Sequence, residues 1–289
     1  MRHAASLLLT IIVGIVLGHS LAEAHPGGAI AVDRQGTVFF IDTLKGVWKI
    51  DRAGKLTFVG PPNFHWFALD EENRFARFSR HSSQDEMRAV AGASSPTLVA
   101  SSDFPVAIQG GGLYFAPFAR GKPLLLVRAT PDGSVTTLAT LPGFEWVNGL
   151  AAAQDGSIYG TVDKGIFRVA PSGSLTWISR NVTLPECQRM AELEDEPAMP
   201  YLRGLAVDAE GTIFVAATGC RSVVRISPSG KVNGILKAEA PWSPTAVAKA
   251  GSDLYILEYD HSAAERVWPP RVRKFDASGK VTELARVTR

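Results

Sequence analysis

Residues 203–218 read RGLAVDAEGTIFVAAT, and a near copy, NGLAAAQDGSIYGTV, begins at Asn148. Each joins a short apolar run to an aliphatic run through a small turn whose glycine (Gly156, Gly211) takes positive φ without a steric cost, the mark of a tight hairpin. The same unit opens at Ile30 (IAVDRQGTVFFID) and at Val247 (VAKAGSDLYILEYD), with weaker copies at Phe67 (FALDEENRFARF) and Val106 (VAIQGGGLYFAP). A second device follows: RAGK, PDGS, PSGS, PSGK and ASGK, each preceding a last strand. The six starts lie 37 to 55 residues apart. A period of that size with four short strands per unit describes a propeller blade. Strand interiors rich in Val, Ile, Phe and Leu fit a pleated, half-buried surface, and no stretch sustains a helical period.

The sequence therefore predicts an all-β, six-bladed β-propeller of four-stranded antiparallel blades over residues 25–289, with blades starting near 28, 65, 104, 148, 203 and 245. A lone blade exposes an apolar face, which stacking around an axis buries. Blade 1 starts almost at residue 25, which leaves no spare strand for blade 6. Closure is expected through side-chain packing.

Residues 1–24 read as a signal peptide: a basic start, an apolar run too short to span a bilayer comfortably, and Leu21-Ala22-Glu23-Ala24 before the cut. The expected product is periplasmic or secreted, a Gram-negative periplasm being favoured, without membrane attachment and monomeric. The chain carries 30 basic and 28 acidic residues for a net charge of +2. The basic residues form no runs, which argues against a nucleic-acid partner. An oxidising compartment favours a disulfide between the only cysteines, Cys187 and Cys220. Glu192, Glu194, Asp195 and Glu196, in the same connection as Cys187, read as a solvated charge run.

The pattern GLAVDAEGTIFVA…VVRISPSGK resembles an NHL-repeat propeller and is similar to the gluconolactonase and senescence-marker group. That resemblance spans essentially the whole chain after residue 24. It implies the fold, and it admits lactonases, lyases and binding modules alike.

Aligned repeats place Gly28, His65, Phe104, Asn148, Arg203 and Thr245 at equivalent positions, where first strands meet one mouth of the channel. Blade packing needs no identity there, so the varied residues are free to form a site. The ends of the second strands supply a second tier: Asp42, Ser79, Pro117, Val162, Ala217 and Glu258. Trp146, Trp242 and Tyr259 are expected as aromatic walls, and His261 lies three residues past Glu258.

Two chemistries compete. In the first, a small molecule or peptide binds at the mouth: Arg203 pairs with an anionic group, His65 and Asn148 hydrogen-bond, and Asp42, Trp146, Trp242 and Tyr259 complete the ligand site. In the second, the mouth is a metal-dependent hydrolase, lactonase or lyase site. One divalent cation, calcium or zinc, is held by Asn148 and Glu258, and His65, Glu258 and His261 handle protons. The resemblance implies a metal-binding Asn in the matching N-G-L-A context of Asn148. It also implies an acid where this chain has Arg203, and a Glu where it has the HPGG start. A third reading, an interaction propeller, requires a mouth plugged by Phe64, Phe104 and Trp146.

Overall fold

A computed structural model describes residues 26–81, 86–90, 96–118, 121–184, 187, 199–262 and 268–288. The expected leader 1–24 and the acidic run 192–196 lie outside the described residues. Six four-stranded antiparallel sheets follow one another along the chain. Blade 1 comprises β1 (Ile30–Val32), β2 (Val38–Asp42), β3 (Gly46–Ile50) and β4 (Leu56–Gly60). Blade 2 holds β5 (Trp66–Asp70), β6 (Ser79–His81), β7 (Glu86–Val90) and β8 (Thr97–Ser101), and blade 3 holds β9 (Val106–Gln109), β10 (Gly112–Phe115), β11 (Leu124–Ala129) and β12 (Val135–Leu141). Blade 4 is β13 (Gly149–Ala152), β14 (Ile158–Val162), β15 (Gly165–Val169) and β16 (Leu175–Ser179). Blade 5 is β17 (Leu202–Val207), β18 (Ile213–Ala217), β19 (Ser222–Ile226) and β20 (Val232–Lys237). Blade 6 is β21 (Trp242–Ala250), β22 (Asp253–Asp260), β23 (Pro270–Phe275) and β24 (Val281–Arg286).

The first strands pack in succession, β1 on β5, β9, β13, β17 and β21, and β21 returns to β1. The ring is closed, and each sheet comes from one contiguous stretch of chain. Closure rests on side chains, as expected. Ile30, Val38 and Phe40 of blade 1 share a buried cluster with Leu257, Tyr259 and Trp268 of blade 6. The Tyr259 hydroxyl, fully buried, donates to the Ile41 carbonyl at 2.6 Å.

Five blades run in chain order from the axis outward; blade 2 does not. Its order is β5-β8-β7-β6. The reason is local. Where other blades carry a glycine turn, this one reads Asp70-Glu71-Glu72-Asn73-Arg74-Phe75. The Asp70 carboxylate accepts the Phe75 amide at 2.6 Å, and Phe75 is buried at 1 % exposure between blades. Asn73 Oδ1 accepts both the amide and the hydroxyl of Thr97 at 2.7 Å, which seats the start of β8 beside the end of β5. Ser79 therefore sits on the outermost strand, not at the end of a second strand, and Ser101 takes that place near the axis. This corrects the second tier read from the repeats.

Candidate site at the channel mouth

A cavity of about 450 Å³ opens at the mouth where first strands begin. Below it the channel narrows to about 50 Å³ between Gly28, Trp66, Gly149, Gly204 and apolar neighbours. Glycine is required at Gly28, where a Cβ would stand 2.9 Å from Trp66 Nε1. The Gly28 amide donates to the His65 carbonyl at 2.8 Å, and Trp66 Nε1 reaches across to donate to the Asn148 carbonyl at 3.2 Å.

Four of the expected residues line this cavity: His65, Asn148, Arg203 and Trp146. Asn148 is buried. Its Nδ2 donates to Asp163 Oδ1 at 3.2 Å and to the Leu202 carbonyl at 3.0 Å. His65 Nδ1 lies 2.5 Å from the Ser102 carbonyl. A carbonyl only accepts, so the neutral ring carries its proton on Nδ1 and leaves Nε2 as the basic nitrogen.

Arg203 is only 7 % exposed. Its guanidinium donates to the Pro26 carbonyl and lies 5.8 Å from the centre of the Tyr201 ring. Among the described residues it makes no ion pair. A guanidinium presents five donors, so most of this buried cation's capacity is directed at something other than protein carboxylates. Tyr201 itself holds φ of 44°, a left-handed conformation that costs a non-glycine residue of order 1 kcal/mol or more.

The remaining lining residues, Trp66, Ser102, Asp103, Asp163, Met199 and Tyr201, were not singled out from the sequence. Ser102 and Asp103 arrive because β8 ends at the axis. Asp163 had a signal: it follows the second strand of blade 4 much as Asp42 ends that of blade 1. Met199 and Tyr201 close the long connection between blades 4 and 5, whose position no repeat specifies. That segment is tied to the 3₁₀ turn Thr218–Cys220: Gly219 and Thr218 donate to the Pro200 and Tyr201 carbonyls at 2.9 and 3.2 Å. Next to it the Cys187–Cys220 disulfide staples the same connection, as expected. A Cβ at Gly219 would stand 2.2 Å from the Met199 carbonyl.

The other expected residues are elsewhere. Glu258 is fully buried within blade 6, accepting from Arg271 Nε at 2.7 Å and ion-paired with Arg273. Trp242 packs between the guanidinium groups of Arg271 and Arg286, 4.2 and 4.8 Å from its ring centre. His261 stacks on Trp268, and Tyr259 serves ring closure, where burial pushes its hydroxyl pKa well up. Asp42 is a buried turn acid whose Oδ1 accepts the Leu44 and Lys45 amides at 2.9 and 3.1 Å. Burial raises its pKa against those bonds. Glu258 and His261 thus do not meet Asn148, and no joint role with it follows. Phe64 and Phe104 are buried between blades rather than plugging the mouth, and Trp146, 37 % exposed, forms a wall.

Among the described residues no three His, Cys, Asp or Glu side chains group as metal ligands. The mouth offers the Asn148 amide oxygen, the His65 imidazole and the carboxylates of Asp103 and Asp163, with a buried guanidinium in the same cavity. The guanidinium charge repels a divalent cation there, which counts against the calcium or zinc that the sequence analysis allowed at Asn148.

A family model described as the SMP-30/gluconolactonase/LRE-like region matches residues 26–258. Among solved structures, virginiamycin B lyase from Staphylococcus aureus is 18 % identical with a TM-score of 0.50, covering 90 % of this chain and 84 % of its own. Regucalcin from Agrobacterium tumefaciens, described as calcium-binding, is 18 % identical at 0.54, covering 84 % and 85 %. A gluconolactonase from Xanthomonas campestris is 16 % identical at 0.52, covering 80 % and 81 %. At these identities the likeness is one of fold. A comparison with curated proteins returned no match.

Proposed function

The chain belongs to the SMP-30/gluconolactonase/LRE-like family, and we propose that it is an exported propeller that binds a small anionic molecule or peptide at its channel mouth. One observation carries the reading: Arg203 is buried at the cavity and has no carboxylate partner among the described residues. A cavity of about 450 Å³ has the size of a small-molecule site, and Trp66, Trp146 and Tyr201 supply flat apolar walls. The disulfide and the leader-like residues 1–24 support export.

Trp66 and Trp146 line the cavity, so ligand entry is read as a change in intrinsic fluorescence. Titration with phenylacetate and with its neutral amide tests the reading. A charge-assisted hydrogen bond contributes about 1.5–3 kcal/mol, so the acid should bind about tenfold or more tighter than the amide. Arg203→Met should erase that preference. Equal affinity for acid and amide in the unaltered protein refutes it.

A hydrolase or lyase reaction at the same mouth is the second reading, favoured by His65. Its Nδ1 bond to the Ser102 carbonyl holds a basic Nε2 in a residue that lines the cavity.

A further inference from the structure

The mouth holds charges of both signs that do not neutralise one another. Arg203 is joined in the lining by Asp103 and Asp163. Asp103 Oδ2 accepts from the Ser102 hydroxyl, and Asp163 Oδ1 accepts from Asn148 Nδ2. Neither carboxylate makes an ion pair among the described residues, and neither reaches Arg203. Where a protein's own charges face one cavity yet remain apart, each sign is available to a complementary group on the ligand.

Burial differs between them in an informative way. Arg203 is buried, Asp103 is half-buried and Asp163 is exposed at the rim. The anionic end of a ligand would sit deep and the cationic end toward solvent. The same cavity is lined by Trp66 and Trp146, whose ring centres are 6.0 Å apart, and by Met199.

We infer that the ligand is a zwitterion of the amino-acid type, an α-amino acid or a short peptide with both termini free. Its carboxylate is held by Arg203, its ammonium by Asp103 and Asp163, and an apolar side chain rests on the tryptophans. This rests on the anion-binding reading and adds to it a requirement for the ammonium.

The probes are the dipeptide Leu-Phe, its N-acetyl form and its C-terminal amide, titrated into the mature protein by calorimetry and tryptophan fluorescence. Free Leu-Phe should bind, and N-acetylation and amidation should each weaken binding about tenfold or more. An Asp103→Asn, Asp163→Asn double variant should bind the free and acetylated forms alike while still preferring acid over amide.

The outcomes separate the two claims. If the acetylated form binds as tightly as the free dipeptide while the amide binds worse, the zwitterion inference falls and anion binding stands. If amide and acid bind alike, anion binding falls and takes the inference with it. Failure of all three probes to bind overturns the inference as well. The comparison of probes needs only the unaltered protein, so misfolding of a variant leaves it decisive.

Discussion

Replacing Glu258 by Gln should unfold the protein well below its normal melting temperature and should leave ligand binding at the mouth intact. The carboxylate is fully buried and is shared by Arg271 and Arg273, whose side chains are 5 % and 10 % exposed. Removing one member of a buried ion pair costs about 3–5 kcal/mol, because the partner's charge stays behind in a dry site. Here the lower end applies. Arg271 keeps Glu239 at 2.7 Å and Glu283 at 3.5 Å, and Arg273 keeps Glu239 at 3.6 Å. For a domain of this size each kcal/mol moves the midpoint by about 2–4 °C, so a loss near 3 kcal/mol predicts a drop of about 6–12 °C. Scanning calorimetry of the two proteins at equal concentration reads the drop, and a titration with the mouth's ligand reads binding. A variant that melts within about 1 °C of the parent but loses binding or activity would refute the reasoning, because Glu258 would then act at the site rather than in the blade.

Two further outcomes follow from the same structure. Cys220→Ser opens a cross-link between residues 33 apart, and chain entropy puts the cost at roughly 3–4 kcal/mol. The parent should lose a comparable amount in reductant, whereas the variant should be indifferent to it; a reductant-insensitive parent contradicts this. Asp42 carries a folded pKa raised above 3.8 by burial. The folded chain therefore holds this proton after the unfolded chain has released it, so the group's contribution is most favourable below about pH 3.8 and declines as pH rises through the folded value. Asp42→Asn keeps an acceptor for the Leu44 and Lys45 amides. Its urea midpoint should match the parent's near pH 3 and exceed it near pH 7, and the reverse order contradicts the burial argument.

The ring was legible because five of the six blades repeat the same turn chemistry. Gly36, Gly156 and Gly211 all take positive φ, near 80°, where the hairpins need it. Blade 2 was misread for the same reason in reverse. Without that glycine the chain after β5 is captured by Asp70, which bonds the Phe75 amide, and by Asn73, which bonds Thr97 at the start of β8 and so brings β8 rather than β6 beside β5. A pattern search sees two apolar runs and pairs the nearest. Pairing was decided by an asparagine whose partner lies 24 residues away.

The site was half legible for a related reason. Alignment of repeats gives the height of a residue along the channel, and that placed His65, Asn148 and Arg203 at the mouth. It does not say whether a polar side chain finds a partner within its own blade. Glu258 ends up between Arg271 and Arg273 because β22 and β23 set Glu258 directly across from Arg271 in register. Among the described residues Arg203 has no such neighbour: Gly204 and Leu202 flank it, and the chain passing beside it is Pro26-Gly27-Gly28, which offers a carbonyl and no acid. Among the described residues the bonding partner of this blade 5 arginine is thus a carbonyl at the start of blade 1. At two positions where the family resemblance implies acids, this chain has a carbonyl and the cation that bonds it. The cavity consequently presents a buried cation together with the half-buried Asp103 and the exposed Asp163.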